Sequence, residues 1–167
     1  MIEYLTADDL FAQILLTRTV DSRTVMLVEG PSDEAVLGPH VDPQYCTVMI
    51  GHSKLTASGV VDMADSQTLS RVFALLDRDW DGELMPTSES PNVIYTDHYD
   101  LDITLILSGS VMRRLLSNVA DSAKIRTHLV AIDETSARGL LVQLTSVVGV
   151  LRHVSINHGH DLRMRSR

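Results

Sequence analysis

Two short apolar runs each stop at a carboxylate, and this pairing constrains the fold of the chain more than any other feature. Val25-Met26-Leu27-Val28 runs into Glu29-Gly30-Pro31-Ser32-Asp33-Glu34. Val72-Phe73-Ala74-Leu75-Leu76 runs into Asp77-Arg78-Asp79-Trp80-Asp81-Gly82. Both read as buried strands of one parallel sheet, whose neighbouring ends set Glu29 beside Asp77 and Asp79. Little but a divalent cation neutralises such carboxylates together, and a cation there suits Mg²⁺-assisted chemistry on phosphate.

The rest of the chain supplies the partners of those strands. A helix is expected over residues 6–17, with Thr6 as N-cap, Asp9 three positions on, and Leu10, Phe11, Ile14 and Leu15 on one face. Pro31 suits the first turn of a helix that packs Val36 and Leu37 inward and ends at Gly38-Pro39. Cys46–Ile50 reads as a second strand, Gly51-His52-Ser53 opens a helix to about Ala64, residues 71–76 form the third strand, and Asn92–Thr96 the fourth. Strands separated by helical stretches imply βαβ crossovers and a mainly parallel sheet. Glu83 to Pro91, with two prolines, reads as a surface loop. Beyond Asp102 the pattern turns helical, and Ala137 to Leu151 makes an amphipathic last helix whose wide apolar face packs on its own sheet or on a partner.

At 167 residues, 44% hydrophobic and 22% charged, the chain is long enough to bury a core and reads as soluble and globular. It lacks a run of eighteen apolar residues, so no membrane span is expected, and the acidic N-terminus does not resemble a signal peptide. The lone Cys46 fits a small core residue in a reducing cytoplasm. A net charge of −8 argues against gripping nucleic acid by bulk electrostatics, although Arg152, Arg163, Arg165 and Arg167 make the C-terminus a basic tail.

Each candidate site has a competing reading. Asp77-x-Asp79-x-Asp81-Gly82 matches the first six positions of an EF-hand loop and Leu84 the eighth, but the twelfth position is Ser88 and the preceding segment is a strand. A plain solvated acidic turn is the other alternative. Asp33 and Glu34 can simply complement a helix N-terminus. In Thr96-Asp97-His98-Tyr99-Asp100-Leu101-Asp102, Asp97 suits an N-cap, while Asp102 can point back to the carboxylates. Lys54 is either an anion contact at a strand-to-helix turn or a surface lysine. No Walker A loop, zinc spacing, Ser-His-Asp arrangement or Rossmann fingerprint is present.

Taken together, the Leu-Val-Glu-Gly-Pro-Ser-Asp, Gly-His-Ser-Lys and Leu-Leu-Asp-Arg-Asp-Trp-Asp-Gly turns resemble a Toprim domain in order and spacing. More narrowly they look like the bacterial DUF4435 group, relatives of the overcoming-lysogenisation-defect nucleases. The resemblance covers roughly residues 6–107 and includes the Tyr-Thr-Asp-His-Tyr-Asp-Leu-Asp stretch, where Asp102 replaces the usual Glu. It implies a Toprim-like, mainly parallel four-stranded sheet flanked by helices; the helices expected over 108–151, packed on the core or a partner, and the basic tail over 152–167 lie beyond it. It also implies a catalytic or metal-binding role for Glu29 and an Mg²⁺ or Mn²⁺ site with Asp33, Asp77 and Asp79; the turn readings add Asp102 as a further ligand and Lys54 as a catalytic anion contact. The implied activity is phosphodiester hydrolysis of DNA or RNA in antiphage defence, in the cytoplasm, beside a separate ATPase and in a homo-oligomer. The rival function is a non-catalytic Toprim-fold interaction or regulatory subunit; a Ca²⁺ sensor is a third.

Overall fold

The computed structural model describes residues 5–133 and 136–160, which divide into two compact units at Leu101/Asp102. The first is an α/β unit. Its elements run α1 (Ala7–Thr17), β1 (Thr24–Val28), α2 (Pro31–Leu37), a 3-10 turn at Gly38–His40, β2 (Cys46–Ile50), α3 (Lys54–Ser66), β3 (Val72–Leu76) and β4 (Val93–Tyr95). The strands form one all-parallel sheet in the order β2-β1-β3-β4, with Leu27 level with Met49 on one side and Ala74 on the other.

Local chemistry explains the helix starts. Thr6 and Asp9 close a reciprocal capping box on α1, in which the Asp9 N–H donates to Thr6 Oγ1 at 3.2 Å and the Thr6 N–H to Asp9 Oδ2 at 3.0 Å. Ser53 caps α3 by accepting the Thr56 N–H at 3.1 Å. Pro31 occupies the first turn of α2, where its missing N–H leaves no bond unmade.

The core lies between the sheet and α1 and α3. Leu10, Phe11 and Ile14 of α1 and Ala57, Val60, Val61 and Ala64 of α3 meet Val25, Leu27, Val72, Ala74 and Leu76 of the two central strands. The alternation of Val72, Ala74 and Leu76 into this cluster is the period-two pattern of a strand, while β1 is buried on both faces, adding Met26 and Val28. Gly51 is required here. A Cβ at that position would lie 2.6 Å from Ala57 Cβ and 3.2 Å from Val28 O, so only glycine lets α3 start this close to β1.

Several expectations need correction. Val36 is exposed and Leu37 only half-buried; α2 buries no residue, because it packs beside β2, an edge strand that is itself only half-buried throughout. Cys46 lies on that edge and is half-buried rather than in the core. Asp97 is not an N-cap, since the helix after β4 begins only at Leu101.

The second unit is helical: α4 (Leu101–Leu107, which straddles the division), α5 (Gly109–Val119), α6 (Ser122–Ala131) and α7 (Ala137–Asn157). Helix α6, capped by Asp121 accepting from Ala123 and Lys124 N–H groups, had no counterpart in the periodicity reading. Helix α7 runs six residues beyond the expected Leu151 and takes Arg152 into its last turns; Arg163, Arg165 and Arg167 lie outside the described residues, as do residues 1–4 at the other end. Among the described residues α7 is the one helix long and apolar enough to cross a membrane by length and composition. Its uncharged stretch between Arg138 and Arg152 makes only about 20 Å of helix at about 1.5 Å per residue, against the roughly 30 Å of a hydrocarbon core.

Candidate active site at the ends of the central strands

Chain direction dictates where a site forms in this sheet. The connection leaving β1 goes to β2 on one side, whereas the connection leaving β3 goes to β4 on the other. Adjacent parallel strands whose connections diverge leave a crevice at their carboxyl ends, which is where open α/β sheets bind ligands. Glu29 and Asp77 are the first residues past those two ends.

The two acidic turns are joined directly. The backbone N–H of Asp77 donates to Glu29 Oε1 at 2.9 Å, and the Leu101 N–H donates to Asp77 Oδ1 at 2.9 Å. Asp33 accepts the Gly30 N–H at 2.9 Å and so closes the first turn of α2. Burial pushes the Glu29 carboxyl above its ordinary range; the Asp77 N–H opposes that, the nearby Asp77 and Asp79 charges reinforce it, and Lys54 offsets part of it. Burial likewise raises Asp77, against the pull of the Leu101 N–H and with the help of Asp33, Asp100 and Asp79. Both carboxyls therefore hold a proton nearer neutrality than exposed acids do.

Lys54 connects the third turn to this pair. As the first residue of α3 it sends its ammonium across to Asp79 Oδ2 at 2.5 Å and Asp81 Oδ2 at 3.1 Å. Burial works against the charged amine, but the hydrogen bonds to Asp79 and Asp81 outweigh it and the Lys54 pKa is raised. Asp79 occupies the left-handed region at φ 48, a conformation aspartate tolerates better than most residues, and its N–H donates to Tyr99 O at 2.6 Å.

The turn that carries Asp81 is held by its own backbone. The N–H groups of Glu83, Leu84 and Met85 all lie within 3.1 Å of Trp80 O, and the Gly82 N–H donates to Met85 O at 2.7 Å. Gly82, at φ 84, supplies the left-handed position the turn needs. Arg78 is tied to the end of β4. Its N–H donates to Thr96 Oγ1 at 3.0 Å and its Nε to Thr96 O at 2.8 Å, which fastens the end of β3 to the end of β4. A cavity of about 620 Å³ opens beside the ion pair, walled by Lys54, Asp81, Ser58, Met85, Ser88 and Tyr95.

The structure thus brings Glu29, Asp33, Asp77, Asp79 and Lys54 to one end of the sheet, each at the close of a strand or the start of the following helix. Asp102 sits exposed in the first turn of α4, in the second unit. Among the described residues no group of three or more acidic, histidine or cysteine side chains is placed to hold a metal ion. The pair that does share a cation is Asp79 with Asp81, and Asp81 is the residue that sequence reasoning left out of the ligand set. Its place in the alternate-carboxylate run was the available signal. Two hard carboxylate donors beside an open cavity fit Mg²⁺, which is commonly held by one or two carboxylates with the remaining positions given to water and phosphate. A structural Zn²⁺ site takes four protein donors and a Ca²⁺ loop six to eight oxygens, more than this pair supplies.

No protein-family model matches this chain, and no curated protein matches it.

Proposed function

We propose that this chain is a Mg²⁺-dependent nuclease of Toprim type, hydrolysing phosphodiester bonds of DNA or RNA. The observation that carries this reading is the junction of two carboxylate turns at the switch point of a parallel sheet, through the Asp77 N–H to Glu29 bond. A divalent cation, when bound, polarises the scissile phosphate and lowers the pKa of an attacking water. Asp79 and Asp81 would hold it, and the charge of Asp79 acts on both Glu29 and Asp77.

Glu29 is suited to general acid–base work. Oε1 is committed to the Asp77 N–H, which leaves Oε2 to take a proton from the water as its oxygen bonds to phosphorus and to return that proton to the leaving oxygen as the scissile P–O bond breaks. Its elevated pKa brings it closer to the working pH. Lys54 adds a positive charge at the cavity wall, where it would meet a phosphate. An acidic body with net charge −8 offers little electrostatic grip on nucleic acid, so a second copy or a partner is expected to complete the binding surface. The resemblance to defence nucleases extends the proposal to antiphage defence beside a separate ATPase, in the cytoplasm.

A second reading, a Toprim-fold interaction subunit that cuts nothing, is favoured by α7, which leaves Leu144, Val147 and Val150 mostly exposed. Incubation of mixed DNA and RNA with Mg²⁺ or Mn²⁺, wild type beside Asp77→Ala/Asp79→Ala, separates the two. Metal-dependent cutting that the double variant loses supports the nuclease and identifies its substrate class. No cutting by a folded wild type that binds metal supports the interaction subunit.

A further inference from the structure

Lys54 stands where the proposed cation would bind. Its ammonium bridges Asp79 and Asp81, partners 25 and 27 residues away along the chain, and it reaches them from the first position of a capped helix. The carboxylates come from a turn shaped by its own backbone bonds to Trp80 O and Met85 O. The ammonium side chain is 22% exposed, so it is accessible for exchange without unfolding the turn.

We infer that Lys54 is a displaceable internal counter-ion: a divalent cation and the Lys54 ammonium compete for Asp79 and Asp81, and metal loading frees Lys54 into the adjoining cavity. This rests on the Mg²⁺ reading above. Two carboxylates and one ammonium are a net negative trio, which repels phosphate. A doubly charged cation on the same carboxylates makes the trio net positive and frees an ammonium on a cavity wall that Asp62 and Glu89 also line, so a phosphate meets less repulsion there. Metal loading therefore lowers the repulsion that a phosphate meets, and binding is ordered with metal first. The cation's gain is offset by the loss of both lysine contacts, so removing the lysine strengthens metal binding.

Calorimetric titration of Mn²⁺ into full-length wild type, Lys54→Met and Lys54→Arg at one pH and low salt tests this, with circular dichroism as the folding check. Lys54→Met is expected to bind Mn²⁺ about tenfold more tightly than wild type, the size expected when two partly exposed ion pairs no longer compete. Lys54→Arg, whose guanidinium still grips both carboxylates, is expected to bind no more tightly than wild type. Equal or weaker binding by folded Lys54→Met overturns the inference while leaving the metal site standing. If Lys54→Met does not fold, the arginine variant decides, and tighter binding by it overturns the inference. No Mn²⁺ binding by any of the three overturns the Mg²⁺ reading and this inference together.

Discussion

Val25, Leu27 and Leu76, in the unit that ends at Leu101, are 3%, 0% and 1% exposed, whereas Leu144, Val147 and Val150, in the unit that begins at Asp102, are 65%, 66% and 61% exposed. The first unit spends its apolar residues on a sheet closed by α1 and α3. Among the described residues of the second, Met112 is the only large hydrophobic that is buried beyond Leu101. Apolar content alone therefore says little about where stability resides. In the first unit the apolar positions alternate into a shared interior; in α7 they are spread over most of the helix circumference. The candidate site belongs to the unit with the buried core, which suits chemistry that needs carboxylates held in place.

Substitutions in the two units should therefore differ sharply. Leu27→Ala removes a fully buried side chain from the central strand and is expected to cost about 2–5 kcal/mol in urea unfolding. A loss below about 1 kcal/mol would mean the interior is not close-packed there. Gly51→Ala should cost about 1–3 kcal/mol by the same measurement, because its Cβ meets Ala57 Cβ at 2.6 Å and both lie on fixed backbone. Ser53→Ala removes the cap of α3 and is expected to cost about 1 kcal/mol. Leu144→Ala, by contrast, should change stability by no more than about 0.5 kcal/mol. A large effect at Leu144 would erase the contrast and show that α7 is covered in solution.

The smallest effect carries a sign. Burial, reinforced by Asp77 and Asp79, raises the Glu29 pKa above its unfolded value, so folded Glu29 holds its proton more tightly than the unfolded chain does. The ionised carboxylate then costs stability above the folded pKa, and the cost disappears as pH falls below the unfolded one. Glu29→Gln, which keeps an acceptor for the Asp77 N–H, is expected to raise the Tm slightly at neutral pH in chelator, and the gain should vanish in acid. A lowered Tm at neutral pH would mean that the carboxylate is stabilised there, contrary to the burial argument.

Much of the first unit was legible because its signals are local. The capping box at Thr6 and Asp9, the apolar runs ending at Glu29 and Asp77, and the Gly51-His52-Ser53 turn each depend on residues within a few positions of one another. Two kinds of information were not local. The exposure of Val36 depends on β2 being an edge strand, which only the strand order decides. The pairing of Lys54 with Asp79 and Asp81 depends on how α3 returns beside β3, so neither lysine nor carboxylates announce it. Helix α6 escaped notice because its apolar residues follow no clear face.

The most direct test of the account is a calorimetric titration of Mg²⁺ into wild type and Asp79→Asn/Asp81→Asn. Binding by wild type that the folded double variant loses is the predicted result. Equal binding by both proteins, or none by wild type, would contradict a cation site at the ends of the central strands.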